Sequence, residues 1–129
     1  PMAMTAHVVY SAIDGSAPAT TSPTVIAETI RGHIGFDGLL MSDDLSMKAL
    51  SGDMTARTKA ALDAGCDIAL HCNGDVAEMT AVLGACGPLS EAAAERVSRA
   101  MSQLGDAEPL GDAASRFAAL LSPGAANGG

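Results

Sequence analysis

The sequence predicts an α/β protein built around a parallel sheet. Three apolar segments with the composition of strands are each followed by a segment with helical signals, and the strand starts recur about every 30 residues, as in successive βαβ units. The strand segments do not alternate apolar with polar residues, which is typical of strands covered on both faces. This order of strand and helix indicates parallel pairing with right-handed crossovers.

The first unit begins with a strand predicted over Met2–Val9, which leads into a polar loop. Ser22 is a suitable N-cap, Pro23 fits the first helical position, and Gly35 can end the helix that follows. The helix has one apolar stripe, formed by Val25, Ile26, Ile30 and Ile34.

The second unit places two acids at the end of a strand. This strand is predicted over Gly38–Met41 and leads directly to the acid pair Asp43 and Asp44. A helix over Met54–Ala64 follows, and Gly65 is expected to stop it because glycine readily adopts the left-handed conformation of a helix end.

The third unit has the same order. Its strand is predicted over Asp67–Cys72 and ends at the turn residues Asn73 and Gly74. Asp75 can cap the next helix, with Glu78 in the reciprocal position of a capping box.

Beyond Gly87 the strand–helix alternation stops. Ser90 can cap a helix that runs through Leu104, and a second helical segment covers Leu110–Leu121. The remaining residues, 122–129, are rich in Gly, Ala, Pro and Asn and are predicted to be disordered.

Composition excludes several classes of protein. A formal net charge of −8, with 7 basic against 15 acidic residues, argues against nucleic-acid binding, which is driven by Lys and Arg. No apolar run approaches the roughly 20 residues that span a bilayer, so we expect no membrane association. The cysteines, whose spacing matches no zinc motif, are expected to be reduced thiols: Cys66, Cys72 and Cys86.

The acid pair is the most informative feature for chemistry. In folds with parallel sheets, ligands bind at the carboxyl ends of the strands, where loops converge on one point. Asp43 and Asp44 are predicted to lie at such an end. A plain alternative is that one of the two only caps the turn that begins near Leu45.

The residues around this pair resemble the nucleophile motif of bacterial β-N-acetylhexosaminidases of glycoside hydrolase family 3. The resemblance rests on Phe36-Asp37-Gly38 and Ser42-Asp43-Asp44-Leu45-Ser46-Met47. Three further segments agree with the family in the same order, and they are Met4-Thr5-Ala6-His7-Val8, Pro18-Ala19-Thr20-Thr21-Ser22-Pro23 and Ala64-Gly65-Cys66-Asp67-Ile68-Ala69-Leu70-His71-Cys72-Asn73-Gly74.

The resemblance implies part of a (β/α)8 TIM barrel. A complete barrel needs about 250 residues, so this chain would supply about the last three βα units and the C-terminal helices. The implied division is residues 1–87 for the barrel segment, 88–121 for helices that pack on it, and 122–129 for the tail. A barrel segment leaves apolar strand edges open, so we expect the chain alone to self-associate.

The resemblance also implies a reaction. The family's nucleophile is the first acid of the motif, which assigns that role to Asp43 and leaves Asp44 to brace the loop. The family's acid/base is a histidine on a loop that precedes the region present here, so the chain alone is expected to be inactive. The implied whole enzyme is a cytoplasmic monomer that releases N-acetylglucosamine from cell-wall muropeptides, and the resemblance implies no metal and no organic cofactor.

The three histidines are not candidates for that acid/base. His7 lies near the end of the first strand and is a weak candidate for substrate contact. His33, in the last turn of a helix, and His71, in the third strand, are interpreted as structural.

Two alternatives stay open from the sequence. One is a remnant without catalytic activity that only binds or folds. The other is a receiver-like phosphoacceptor domain, in which an acid pair at a strand end holds Mg²⁺. Receiver domains carry that pair on the first strand and a Lys on a later one, whereas here the acids follow the second strand.

Overall fold

A computed structural model describes residues 2–105 and 111–121. The sheet has three strands, β1 (Met2–Met4), β2 (Leu39–Asp44) and β3 (Ile68–Leu70). The segment between β1 and β2 contains a 3-10 turn and a π-helix, at Ala19–Thr21 and Val25–His33. Four α-helices follow, which are α1 (Met54–Ala64), α2 (Val76–Ala85), α3 (Glu91–Ser102) and α4 (Ala113–Leu121).

The predicted parallel sheet is confirmed. The strand order is β1-β2-β3, and both pairings are parallel. Met2 of β1 lies opposite Leu39, and Met41 of β2 lies opposite Ile68. The α/β class therefore holds, with β2 in the centre of the sheet.

The outer strands are shorter than predicted. Only Met2–Met4 of the predicted Met2–Val9 forms the strand, although Thr5 N still donates to the Met41 carbonyl of β2 at 2.9 Å. Beyond Thr5, backbone carbonyls bond to the 3-10 turn instead. The carbonyl of Val8 accepts from Ala19 N at 2.9 Å, and that of Ala6 accepts from Thr20 N at 3.3 Å. The third strand likewise covers Ile68–Leu70 and not Asp67–Cys72.

The central strand is longer than predicted and contains the acid pair. β2 runs to Asp44 instead of ending at Met41. Its pairing with β3 shifts register between Met41 and Asp44. Leu70 N donates there to the buried hydroxyl of Ser42 at 2.9 Å, and Leu45 N donates to the Leu70 carbonyl at 2.9 Å.

The helix after β1 starts as predicted but has a different geometry. The Ser22 hydroxyl accepts from Val25 N at 3.0 Å, and Gly35 ends the segment with a φ of 72°. The turns between them are π-helical, with bonds such as Ile34 N to the Thr29 carbonyl at 2.8 Å. Because π-helical spacing differs from that of an α-helix, the predicted stripe is incomplete, and Ile34 is 66% exposed.

The predicted helix boundaries agree best with the structure where capping residues define them. α1 has the predicted bounds, and Gly65 has a φ of 114°. Asp75 and Ser90 cap α2 and α3 by accepting from the backbone three residues on. The reciprocal capping position assigned to Glu78 was wrong, because Asp75 N donates to the Asn73 side chain and the Glu78 carboxylate bonds elsewhere.

The two helices predicted for the C-terminal part are confirmed. α3 ends at Ser102, two residues before the predicted end, and α4 begins at Ala113. Leu110, the predicted start of the last helix, and the tail 122–129 lie outside the described residues. None of the helices within the described ranges is both long and apolar enough to cross a bilayer.

One apolar core lies between the sheet, the π-helix and α1. Its buried members are mostly small or aliphatic, namely Ile26, Leu40, Leu45, Leu50, Ala61, Ala64 and Cys66. Large apolar side chains remain exposed along β1 and the loop after it, including Met2, Met4, Val8, Val9, Tyr10 and Ile13.

A cluster of ion pairs lies where β2 and β3 begin, around the side chain of Asp67. The Asp67 side chain is 5% exposed and lies between two arginines, with Oδ2 at 2.9 Å from Nη2 of Arg31 and Oδ1 at 2.8 Å from Nη1 of Arg96. Leu40 N also donates to Oδ2, at 2.9 Å. Asp67 thereby joins the π-helix, α3 and the start of β2.

Candidate active site

The acid pair lies where the three parallel strands end. Asp43 and Asp44 are the last two residues of β2, between the continuation of β1, which carries His7, and that of β3, which carries His71. The acid pair therefore lies at the carboxyl end of its strand, as predicted.

Asp44 is held by three donors. Its Oδ1 accepts from Ser46 N at 3.0 Å and from Cys72 N at 3.1 Å, and its Oδ2 accepts from the Ser46 hydroxyl at 2.6 Å. Burial raises the pKa of the Asp44 carboxyl, but these hydrogen bonds and the charge of His71 outweigh it, so the pKa lies below its ordinary value. Asp44 is a carboxylate that ties the end of β2 to the residues after β3.

Asp43 is much less constrained. Its Oδ1 accepts from Asp44 N at 2.8 Å, and its own backbone N–H donates to the Thr5 hydroxyl at 3.3 Å. Among the residues that the structure describes, no donor contacts the second carboxylate oxygen of Asp43. Asp43 is a partly buried residue, and an incoming group would displace no hydrogen-bond donor from that oxygen.

His7 lies beside the acid pair and is fully hydrogen-bonded. Its Nε2 is 2.9 Å from the Asp44 carbonyl oxygen, and its Nδ1 is 2.8 Å from the Thr20 hydroxyl. Both ring nitrogens are thus used inside the protein. That His7 contacts a substrate stays a prediction.

The loop after the acid pair is braced by Arg57 of α1. Nη1 of Arg57 donates to the carbonyls of Leu45 at 2.9 Å and Met47 at 3.2 Å. Its Nε donates to the Gly52 carbonyl at 2.9 Å. Periodicity within α1 carries no signal for a contact with a preceding loop.

The other histidines lie close to their predicted places. His33 is the exposed last residue of the π-helix. His71 directly follows β3, and its side chain is 6% exposed, with Nε2 at 2.9 Å from Oε2 of Glu78. Asn73 also donates to that oxygen, at 2.6 Å, and these two bonds lower the pKa of Glu78.

The cysteines and acids do not form a metal centre in the described part of the chain. All three cysteines are free thiols, with Cys66 buried, Cys86 partly buried and Cys72 exposed. Within residues 2–105 and 111–121, no group of three or more His, Cys, Asp or Glu side chains is arranged to hold an ion. Burial raises the pKa of the Cys66 thiol to about 11.

Comparisons with known proteins agree on one family. The sequence profile described as glycosyl hydrolase family 3 N terminal domain matches residues 1–104. The β-hexosaminidase of Bordetella avium is 49% identical over 75 residues, which are 57% of this chain and 21% of that enzyme. The β-hexosaminidase of Shewanella frigidimarina is 52% identical over 75 residues, again 57% of this chain and 22% of the enzyme.

Solved structures agree. The β-N-acetylglucosaminidase of Thermotoga maritima is 29% identical with a TM-score of 0.64, over 89% of this chain and 28% of that one. NagZ from Neisseria gonorrhoeae, solved in complex with a zinc ion, is 31% identical with a TM-score of 0.66, over 92% of this chain and 36% of that one.

The chain spans about a fifth of the length of the curated relatives it matches. The profile match covers most of the chain and includes the acid pair, which overturns the receiver-like alternative. The chain therefore belongs to glycosyl hydrolase family 3, and the curated relatives described above are β-hexosaminidases.

Proposed function

We propose that this chain carries the nucleophile segment of a retaining exo-β-N-acetylglucosaminidase, with Asp43 as the nucleophile. The observation that supports this assignment is the contrast between the two acids. Asp44 uses both carboxylate oxygens in hydrogen bonds to the loops around it. Asp43 has one oxygen that no donor in the described residues contacts, and it lies at the same strand end.

The proposed chemistry has two steps. A carboxylate oxygen of Asp43 attacks the anomeric carbon of a terminal β-linked N-acetylglucosamine, and the bond to the leaving oxygen breaks as that oxygen takes a proton from an acid. The acid becomes the base that removes a proton from water, whose oxygen then displaces Asp43 from the same carbon. Two inversions give net retention, and no atom of Asp43 is consumed.

The hydrogen bonds of Asp44 argue against the opposite assignment. An attacking carboxylate would lose the donors from Ser46 and Cys72 as its charge is neutralised by bond formation. We propose that Asp44 keeps the loop in place during both steps.

We further propose that the strands are neighbouring members of a (β/α)8 barrel. This is supported by their parallel order, by the acids at the carboxyl edge, and by the alignment with enzymes of which the chain covers 28% and 36%. The acid/base and most sugar contacts would come from other parts of the barrel. The proposed substrate is a cell-wall muropeptide, and the chain alone is expected to be inactive.

The test needs a complete barrel. We define the chimera as the Bordetella avium β-hexosaminidase in which residues 1–104 of this chain replace the corresponding segment. The chimera should hydrolyse an aryl N-acetyl-β-glucosaminide, and the 129-residue chain alone should not exceed the uncatalysed rate. Asp43→Asn in the chimera should lower kcat by several orders of magnitude, and Asp44→Asn should lower it less. The reverse order would refute the assignment of the nucleophile.

A further inference from the structure

A chain of hydrogen bonds joins the two ends of the acid pair through three other side chains. His7 Nε2 contacts the Asp44 carbonyl at 2.9 Å, and His7 Nδ1 contacts the Thr20 hydroxyl at 2.8 Å. The Thr20 and Thr5 hydroxyls are 2.9 Å apart, and the Thr5 hydroxyl is 3.3 Å from Asp43 N. The chain begins at the N–H of Asp43 and ends at the carbonyl of Asp44.

For a neutral His7 ring, the direction of every hydrogen bond in this chain follows from its two ends. The Asp44 carbonyl can only accept, so Nε2 of His7 carries the proton, and Nδ1 of the neutral ring accepts from Thr20. At the other end the N–H of Asp43 can only donate, so the Thr5 oxygen accepts. The Thr5 hydroxyl is then free to donate to the Thr20 oxygen. All donors and acceptors are matched in one arrangement.

Burial makes this arrangement rigid. Thr20 is fully buried and Thr5 is 7% exposed, so water cannot readily replace their partners. A buried polar network whose members are all satisfied holds one geometry, because any displacement leaves a buried group without a partner. The segment that carries both acids is therefore held at its two ends by Thr5 and His7 from the continuation of β1, and Thr20 of the 3-10 turn joins those two side chains.

We propose that His7, Thr20 and Thr5 are positioning residues that hold the backbone of Asp43 and Asp44 for attack by Asp43. The inference rests on the proposed function. The direction of the Asp43 side chain follows from its backbone, and a misplacement of about 1 Å at a reacting group can lower a rate 10²-fold. None of the three residues needs to touch the sugar for this effect.

The first test is direct and needs no activity. The side-chain ¹⁵N signals of His7 in the 129-residue chain report which ring nitrogen is protonated in the neutral form. The structure requires the proton on Nε2. A neutral ring protonated on Nδ1, or a mixture of the two forms, would overturn the proposal because the hydrogen-bond chain could not exist as described.

The second test measures catalysis in the chimera. Thr20→Val removes the hydroxyl from the middle of the network at nearly constant shape, and it should lower kcat about 10- to 100-fold, with KM within about twofold. Thr20→Ser keeps the hydroxyl and should restore kcat to within about threefold of the parent. Thr21→Val is the matched control, since Thr21 is next to Thr20 and, among the residues that the structure describes, its hydroxyl bonds only to the Pro18 carbonyl, at 3.4 Å.

The outcomes separate this inference from the proposed function. If Asp43→Asn abolishes activity and Thr20→Val leaves kcat unchanged, the positioning role fails and the nucleophile assignment stands. If Thr20→Val and Thr21→Val lower kcat equally, the effect is general packing and the inference fails. If a folded chimera is inactive, or Asp43→Asn retains activity, the proposed function fails and this inference fails with it.

Discussion

Loss of the Asp67 charge should destabilise the fold more than any single surface change. The Asp67→Asn substitution keeps size and shape but removes the charge that faces Arg31 and Arg96. Each arginine then loses a charge-assisted hydrogen bond at the buried edge of the sheet. The substituted amide can still accept from Leu40 N, so the backbone contact of β2 is not the main loss.

The magnitude follows from the exposure of the three side chains. Removing one partner of a buried ion pair costs about 3–5 kcal/mol, and the arginines are 18% and 20% exposed, so water offsets part of this. Arg31 also keeps its bonds to the Phe36 and Gly38 carbonyls. We expect a loss of about 2–3 kcal/mol, from hydrogen bonds to charged groups worth about 1.5–3 kcal/mol each.

Urea unfolding of the 129-residue chain, followed by circular dichroism at a dilution where the chain is monomeric, measures this loss. With a slope of about 1–3 kcal/mol per molar urea, the midpoint of Asp67→Asn should fall by about 1 M or more. The matched control is Asp37→Asn, because Asp37 also pairs with arginine but its side chain is 74% exposed, which limits its contribution to about 0–1 kcal/mol. Equal midpoints for the two variants would refute the role assigned to burial.

Three further predictions concern single residues. Iodoacetamide at pH 8 should modify Cys72 readily and Cys66 slowly, because a pKa of about 11 leaves about one thiolate in a thousand at Cys66. Peptide mass spectrometry measures the rate of modification at each cysteine. Equal rates would contradict the burial of Cys66 in the core. Gly65→Ala should lower the urea midpoint by the equivalent of about 1–3 kcal/mol, because φ is 114° and the new Cβ would lie 2.9 Å from Cγ2 of Ile26; an unchanged midpoint would contradict this. The lowered pKa of Asp44 means that its ionised form stabilises the folded state above the ordinary carboxyl range, and that this contribution is lost as pH falls through the folded pKa. The stability difference between the parent and Asp44→Asn should therefore shrink below about pH 4, and a difference that grows on acidification would oppose the predicted sign.

The fold was predictable where local signals act alone. The capping residues Asp75 and Ser90 and the terminating Gly65 located helix ends because each satisfies backbone groups within a few residues. The strand ends were less predictable. Whether Val8 pairs with β2 or with the 3-10 turn depends on a contact between residues 11 apart in sequence, which composition does not encode.

The position of the site was predictable from the sequence, but the side chains that hold the acid pair and its loop in place were not. The strand pattern placed Asp43 at the carboxyl edge, and the family resemblance assigned its role. The side chains that hold it come from distant segments, such as Thr20 and Arg57, and neither hydrophobic periodicity nor turn chemistry marks them. Threonine in a loop is ordinary in a sequence, and its function here depends on burial that only the folded chain creates.

Covalent trapping tests the central claim most directly. A fluorinated N-acetylglucosamine mimic that forms a slowly hydrolysed glycosyl-enzyme should label the chimera, and trypsin should release the labelled residues as Gly32–Lys48. Fragmentation of that peptide in the mass spectrometer distinguishes its three carboxylates, Asp37, Asp43 and Asp44. We predict that the sugar is attached to Asp43 and that Asp43→Asn carries no label. A sugar on Asp44, or labelling that persists in Asp43→Asn, would contradict this prediction.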